Sequence, residues 1–344
     1  LTFRVTVLGA GCIGIFVGGK LAAAGADVTF VGRPRVVESI SASGLRLTDL
    51  DGGDDRVAAS GFHVATEPDS AAIADLVLVT VKSAATADAA KQLIGRIRPG
   101  TVVLSLQNGI GNDTVIRETV PSCVVLAGMV LCNVVQQEGG RFHRGSPGGL
   151  AVADDPALER FAPLFRRAGL ELDRHADLRP VQWGKLLLNL NNPINALSGR
   201  TLREELSDRD YRRCLALAQS EALAVMHRAR IRPARLTLLP PELLVRLLVM
   251  PDAIYGRATR RTFEIDPYAR SSMADDLALG RKTEINWLCG EIVNLGRMVG
   301  LATPVNARLI ELVAAIENGE TRTWSGSELL AQLRAAKNSA TEHR

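Results

Sequence analysis

The sequence predicts an α/β chain in two parts: a doubly wound parallel sheet over residues 1–178, then an all-α domain over 179–344. Three observations carry this. An apolar run, Phe3 to Leu8, enters a glycine-rich turn and leaves it as an alanine-rich helical stretch, Ile15 to Ala24. Continuous apolar runs at Leu76 to Val81, Val102 to Leu106 and Val124 to Leu131 have the composition of strands buried on both faces of a parallel sheet. From about residue 179 the chain changes to long helical runs without that strand signal.

The turn reads Gly9-Ala10-Gly11-Cys12-Ile13-Gly14, and a second strand, Asp27 to Val31, follows its helix. In the order strand, glycine turn, helix, strand, G-x-G-x-x-G is a dinucleotide-binding (Rossmann) signature. Gly9 permits the tight turn, Gly11 lets the backbone approach a pyrophosphate, and Gly14 lets helix and strand pack closely. The helix N-terminus offers N–H groups and a positive dipole end to phosphates. The second strand ends Val31-Gly32-Arg33-Pro34-Arg35, without the carboxylate that usually accepts from a ribose 2′-OH. Arg33 suits a 2′-phosphate instead, which predicts NADP(H) over NAD(H). The plainer reading of Arg33 is a solvated side chain after a strand.

Further along, Leu76 to Val81 ends in Lys82-Ser83, and a helical stretch runs on to Ile97. Val102 to Leu106 ends in Gln107-Asn108-Gly109-Ile110-Gly111-Asn112. Ligands of such sheets bind outside the carboxyl ends of the strands, where Lys82 and Asn108 fall. Residues 44–66 read as short strands and polar loops, and 139–150 as a glycine-rich hairpin region. In the second part Ser207-Asp208 opens a helix to about Ile231, Leu238 to Met250 forms another, and Thr303-Pro304 is an N-cap with proline at N1. The last dozen residues are polar and are expected to fray. The expected active site is the cleft between the two domains.

Composition excludes several classes. With 344 residues, 47% of them hydrophobic and 23% charged, the chain is long enough for two cores. No apolar run approaches the roughly 20 residues of a membrane span. The first strand begins at once, leaving no room for a leader peptide, so the cytoplasm is the expected location. The net charge of +4 is spread over scattered arginines, which favours small anionic ligands over nucleic acid. Cys12, Cys123, Cys132, Cys214 and Cys289 form no C-x-x-C, and the five histidines show no ligand spacing, so no metal is expected. Of 41 basic residues only six are lysine. A lysine among apolar neighbours then marks a place needing an ammonium, which draws attention to Lys82 and Lys185.

Residues 183–193, Trp-Gly-Lys-Leu-Leu-Leu-Asn-Leu-Asn-Asn-Pro, set one lysine and three asparagines among apolar side chains. In a single helix Lys185, Asn189 and Asn192 (i, i+4, i+7) share a face, and Asn191 lies off it. Amides are costly to bury without partners, so this polar stripe points to a wet cleft with a polar ligand. The alternative is a snorkelling lysine with asparagines bonded to neighbouring elements. Downstream stand Ser271-Ser272-Met273-Ala274-Asp275, Gly280 and Lys282-Thr283-Glu284. Ser272 and Glu284 are about 18 Å apart in one straight helix, but a break at Gly280 lets them begin successive helices. Taken singly, Ser272 reads as an N-cap with Asp275 at N3, and Glu284 as a first-turn residue.

On the glycine turn with Arg33, Lys82, Gln107-Asn108-Gly109, the Lys185/Asn189 helix, the Ser272 segment and Lys282-Thr283-Glu284, the chain resembles ketopantoate reductase (2-dehydropantoate 2-reductase) over most of its length. The resemblance implies a 6-phosphogluconate-dehydrogenase-like helical domain and NADPH-dependent reduction of 2-dehydropantoate to (R)-pantoate, a step of pantothenate and coenzyme A synthesis. It implies Lys185 as general acid and Glu284 as partner of a substrate hydroxyl or carbonyl. It also implies Asn189, a second helix asparagine and Ser272 as substrate ligands, with Asn108 and Lys82 near the nicotinamide. The family usually places that second asparagine one residue further from the lysine. Here Asn192 stands seven after Lys185, so Asn192 or Asn195 takes the role, with geometry favouring Asn192. The competing readings are a related reductase of another 2-keto acid and a non-catalytic NADP(H)-sensing regulator. The expected partner is a small 2-keto acid, with a homodimer compatible and no nucleic acid or membrane involved.

Overall fold

Strand β1, Arg4–Leu8, forms the middle of the first unit because each of its residues after Arg4 is apolar or threonine and buried. The structure, a computed structural model, describes residues 2–137, 140–259 and 269–342. The chain divides into two compact units, Leu1–Leu178 and Arg179–Arg344.

In unit 1 the strands are β1, β2 (Asp27–Val31), β3 (Leu45–Asp49), β4 (Asp54–Val57), β5 (His63–Ala65), β6 (Leu76–Val79), β7 (Val102–Ser105), β8 (Val124–Val130), β9 (Val134–Gln137), β10 (Arg141–Arg144), β11 (Leu150–Ala153) and β12 (Leu172–His175). Its helices are α1 (Cys12–Ala23), α2 (Pro34–Ser43), α3 (Thr86–Gln92), α4 (Asn112–Thr119) and α5 (Ala162–Arg167). Eight strands make one sheet in the order β12-β11-β8-β7-β6-β1-β2-β5, and β4-β3-β10-β9 make a second. From β5 to β8 the large sheet is parallel throughout, while β11 runs antiparallel to β8. From β1 the chain moves outward to β2, whereas β6 and β7 lie on the other side of β1. That reversal is the topological switch point of the sheet, at the carboxyl ends of β1 and β6, where such sheets bind ligands. Two apolar clusters cover the two faces, one around Val5, Val7, Phe16 and Phe30, the other around Leu8, Val77, Val79 and Val103. This two-sided burial accounts for the continuous apolar runs of the sequence. The region 139–150 supplies β10 within an antiparallel pair with β9; its first residue lies outside the described residues.

Unit 2 is helical among its described residues: α6 (Arg179–Asn189), α7 (Asn191–Ser198), α8 (Leu202–Ser207), α9 (Arg209–Arg228), α10 (Pro241–Leu248), α11 (Asp252–Thr259), α12 (Ser272–Ala278), α13 (Ile285–Val299), α14 (Pro304–Glu317) and α15 (Gly326–Glu342). Four expectations need correction. The stretch 183–193 is two helices meeting at Leu190. Pro193 has no N–H, and its ring clashes with a preceding-turn carbonyl, which forces the break. The cap of α12 is Ser271, whose Oγ accepts from Ala274 N at 3.2 Å, so Ser272 is the first helical residue. Thr303 gives α14 no side-chain cap. The Glu221 carboxylate of α9 does this, accepting from Val305 N at 3.0 Å and Asn306 N at 2.8 Å. The polar C-terminal stretch stays helical to Glu342, because Leu329, Leu330 and Leu333 are buried and dock it.

Candidate active site

The glycine turn hangs from two strands. Gly9 N and Ala10 N both donate to Val31 O at 3.0 Å, so the exit of β1 is tied to the end of β2. Gly9 has φ +112°, and a Cβ there would lie 2.5 Å from Val81 N. A Cβ on Gly14 would lie 2.3 Å from Gly9 O and 2.5 Å from Thr80 Oγ1. Both positions are sealed against a side chain. A Cβ on Gly11 meets nothing within 4 Å. Gly11 is also the N-cap of α1, where no side chain caps the helix. Open space against an uncapped helix N-terminus is what a pyrophosphate needs, so the residues of this turn fit the dinucleotide. Beside it, a Cβ on Gly32 would lie 2.6 Å from Ala10 Cβ, so the end of β2 crosses directly over the turn. Arg33 follows as the exposed residue before Pro34. No ion-pair partner of Arg33 is found among the described residues, and no carboxylate stands at this strand end.

Lys82 leaves β6 as an exposed residue, and the half-buried Asn108 leaves β7. A network of polar side chains fixes the backbone beneath them. Ser83 Oγ donates to Asn108 O at 2.7 Å, and Asn112 Nδ2 donates to Asn108 O at 2.8 Å and to Ser83 Oγ at 3.2 Å. Thr86 Oγ1 donates to Asn112 Oδ1 at 2.8 Å. Gln107 Nε2 donates to Val81 O at 3.0 Å and Thr86 Oγ1 at 2.6 Å, and Ser105 Oγ donates to Gln107 Oε1 at 2.9 Å. Sequence reasoning missed Ser83, Thr86, Ser105 and Asn112 as a group. Their signal was present as hydroxyls and amides directly after apolar strands. It also passed over Lys20 of α1, which is buried and paired with Asp55 at 2.6 Å and Asp49 at 3.4 Å.

In unit 2, Lys185 lies in α6 with Gly184, Leu186 and Leu187 buried around it. A Cβ on Gly184 would lie 2.5 Å from Ala234 O, so the segment after α9 passes directly over this turn. Across 183–198 the half-buried residues are Lys185, Leu188, Asn189, Asn191 and Asn192. The polar stripe survives the break at Leu190, although its members now belong to two helices. Asn189 and Asn192 have no side-chain hydrogen-bond partner among the described residues. Asn195 is the opposite case. It is fully buried, its Nδ2 donates to Arg200 O at 3.1 Å and Glu205 Oε2 at 2.8 Å, and its Oδ1 accepts from Ser271 N at 2.9 Å. Its amide is engaged by the protein at both Nδ2 and Oδ1.

The same contacts bring the Ser272 segment to α7. Ser271 Oγ donates to Asn192 O at 3.2 Å, leaving Ser272 exposed one residue on. The turn at Gly280 has φ +60°, and Glu284 stands half-buried as the residue before α13. Glu284 does not cap its helix. Thr283 does, with Oγ1 accepting from Ile285 N at 3.2 Å. Glu317 holds this corner, accepting from Thr283 N at 2.7 Å and pairing with Lys282 at 3.2 Å. Those bonds keep the Glu317 carboxyl below its ordinary range, against a burial effect that acts the other way. Among the described residues no cluster of histidine, cysteine and carboxylate side chains could hold a metal, and no helix is long and apolar enough to cross a membrane.

Comparison with known proteins identifies a family. The model of ketopantoate reductase PanE/ApbA matches residues 5–156, and that of its C-terminal domain matches residues 177–317. The 2-dehydropantoate 2-reductase of Halobacterium salinarum is 33% identical, with 90% of this chain and 97% of the relative covered. That of Pyrococcus horikoshii is 30% identical, covering 92% and 98%. Among solved structures, a PanE/ApbA family ketopantoate reductase from Ralstonia eutropha superposes with a TM-score of 0.78 at 29% identity, covering 92% of this chain and 98% of that one.

Proposed function

The chain belongs to the ketopantoate reductase family, and from that premise we propose that it reduces 2-dehydropantoate to (R)-pantoate with NADPH, in pantothenate and coenzyme A synthesis. In this reading unit 1 holds the nucleotide and unit 2 supplies the groups that meet the keto acid. The five free cysteines fit the reducing cytoplasm where such a step belongs. The observation that carries the reading is the half-buried stripe of Lys185, Asn189 and Asn192 on two largely buried helices, two of its side-chain amides having no hydrogen-bond partner among the described residues.

NADPH, when bound, supplies the hydride. The backbone at Gly9–Gly14 would hold the pyrophosphate and Arg33 the 2′-phosphate, with Lys82 and Asn108, at the carboxyl edge of the sheet, serving the nicotinamide end. The ammonium of Lys185 stabilises the negative charge that grows on the ketone oxygen and donates a proton to it. Positioned proton transfer of this kind contributes about 10²–10⁴-fold. Asn189, Asn192 and Ser272 donate to the substrate carboxylate, and Glu284 accepts from its hydroxyl. Orientation supplies much of the remaining acceleration.

A second reading, reduction of a different 2-keto acid, is favoured by one observation. The asparagine spacing is one residue short of the family pattern, and Asn195 is not available to make up for it. NADPH oxidation followed with 2-dehydropantoate and a panel of 2-keto acids separates the two. Lys185→Ala is expected to lower kcat by about 100-fold or more with the NADPH Kd unchanged; near-normal turnover removes Lys185 from the chemistry. Arg33→Ala is expected to weaken NADPH by about 10–100-fold while barely changing NADH. A wild-type preference for NADH overturns the cofactor assignment.

A further inference from the structure

We propose that Glu205 is a positioning residue, a buried carboxyl that ties α8, α7 and the start of α12 together and so sets Asn192 and Ser272. This rests on reading those two residues as substrate ligands. Glu205 is completely buried in α8. Its Oε2 accepts from Asn195 Nδ2 at 2.8 Å and from Asn191 Nδ2 at 3.3 Å. Asn195 passes the constraint on, since its Oδ1 holds Ser271 N, and Ser271 Oγ in turn holds Asn192 O. The carboxyl therefore touches no substrate itself. It sits at one end of a short chain of bonds whose other end is the pair Asn192 and Ser271.

Two buried oxygens in this network have no partner: Glu205 Oε1 and Asn191 Oδ1. Both are acceptors when the carboxyl is ionised, and neither helps the other. One proton on Oε1 makes it a donor, and Asn191 already reaches the same carboxyl through Nδ2, so its Oδ1 is the neighbouring acceptor. A proton on Oε1 leaves one donor and one acceptor where the ionised carboxyl leaves two acceptors, and a buried unsatisfied group is costly. Burial pushes the carboxyl up to about 8, with the Asn195 and Asn191 amides pulling the other way. No cation pairs with Glu205 among the described residues. From α9 the groups that feel its charge are Tyr211 and Cys214, and from α11 Tyr255; the buried Arg212 of α9 stacks on Tyr255, and its guanidinium is held by Leu206 O, Ser207 O and the Asp252 carboxylate. From α7 its hydrogen-bond partners among the described residues are the Asn191 and Asn195 amides, and through Asn195 it reaches Ser271 at the start of α12. Ionising Glu205 places a charge without a counter-ion at the junction of three helices.

Glu205→Gln is the neutral mimic, because its carbonyl can accept from Asn195 and its amide N–H can donate to Asn191 Oδ1. The keto-acid KM of the wild type is expected to rise above about pH 8, by up to roughly tenfold per pH unit. In Glu205→Gln it stays level, with kcat and the NADPH Kd near wild type. Glu205→Ala is expected to raise the keto-acid KM about tenfold at neutral pH. The second measurement is hydrogen exchange at Ser271 to Ala274, corrected for intrinsic rates. It should accelerate across the same pH range in the wild type and not in Glu205→Gln. That measurement needs no turnover, so a difference in exchange in a chain that reduces no keto acid upholds the latch and overturns the function. Superimposable wild-type and Glu205→Gln profiles in exchange overturn the latch, whatever the activity.

Discussion

At the carboxyl edge of the large sheet, Ser83, Thr86, Ser105, Gln107 and Asn112 form a buried network in which no buried side-chain atom lacks a partner. In unit 2 the network of Asn191, Asn195, Glu205 and Ser271 is built from similar groups, yet two of its oxygens are orphaned. The difference lies in the donor count. Hydroxyls and primary amides carry both donors and acceptors, so the first network closes on itself. A carboxylate only accepts, so the second closes only when it carries a proton. The network at the sheet edge therefore has no titratable member, while the helical unit carries a titratable joint.

The sealed character of the first region is broken most severely by an added methyl group. Gly14→Ala puts a Cβ 2.3 Å from the backbone oxygen of Gly9, and backbone cannot swing away as a side chain can. Overpacking of this kind costs about 1–3 kcal/mol, read as a lower unfolding midpoint together with loss of NADPH binding. Gly11→Ala sharpens the contrast because that position is open. It is expected to unfold within about 1 kcal/mol of wild type, yet to bind NADPH about 10–100-fold more weakly as the methyl occupies the pyrophosphate's place. Equal NADPH affinity in Gly11→Ala removes the turn from phosphate binding.

Much of unit 1 was legible because its signals are local. Apolar runs, glycines at fixed offsets and polar residues at strand ends place Gly9–Gly14, Arg33, Lys82 and Asn108 without tertiary information. The helical unit was less legible for a physical reason. Its helix ends are completed by residues far away in sequence: Glu221 caps α14 from 84 positions upstream, and Asn195 fixes Ser271 N from 76 positions upstream. Of two adjacent serines, local pattern cannot tell which is the cap. The break at Leu190 was readable from Pro193, but the continuous polar stripe argued for one helix. Glu205 left a partial trace, since Thr201 and Glu204 form a capping box that fixes where α8 starts and hence which of its residues turns inward.

The pH dependence of stability separates the two networks most cleanly. Asn112→Ala strips partners from Ser83 and Thr86, which costs roughly 1–3 kcal/mol, and the loss should be the same at every pH because no member of that network titrates. For Glu205 the folded carboxyl is raised from 4.5 to about 8, so between those values the folded state holds a proton that the unfolded state has released. Its contribution to stability is complete below the lower value, declines as pH rises, and is gone above the upper one. The slope cannot exceed about 1.4 kcal/mol per pH unit for one proton. Glu221, Asp275 and Glu291 are raised by burial as well, so raw stability curves mix several carboxyls. Subtracting the Glu205→Gln curve cancels the others and isolates Glu205. Denaturant unfolding from about pH 5 to 9 should give a falling difference for Glu205 and a flat one for Asn112→Ala. A flat difference for Glu205 means the carboxyl is already ionised in the folded chain, and the distinction between the two networks collapses.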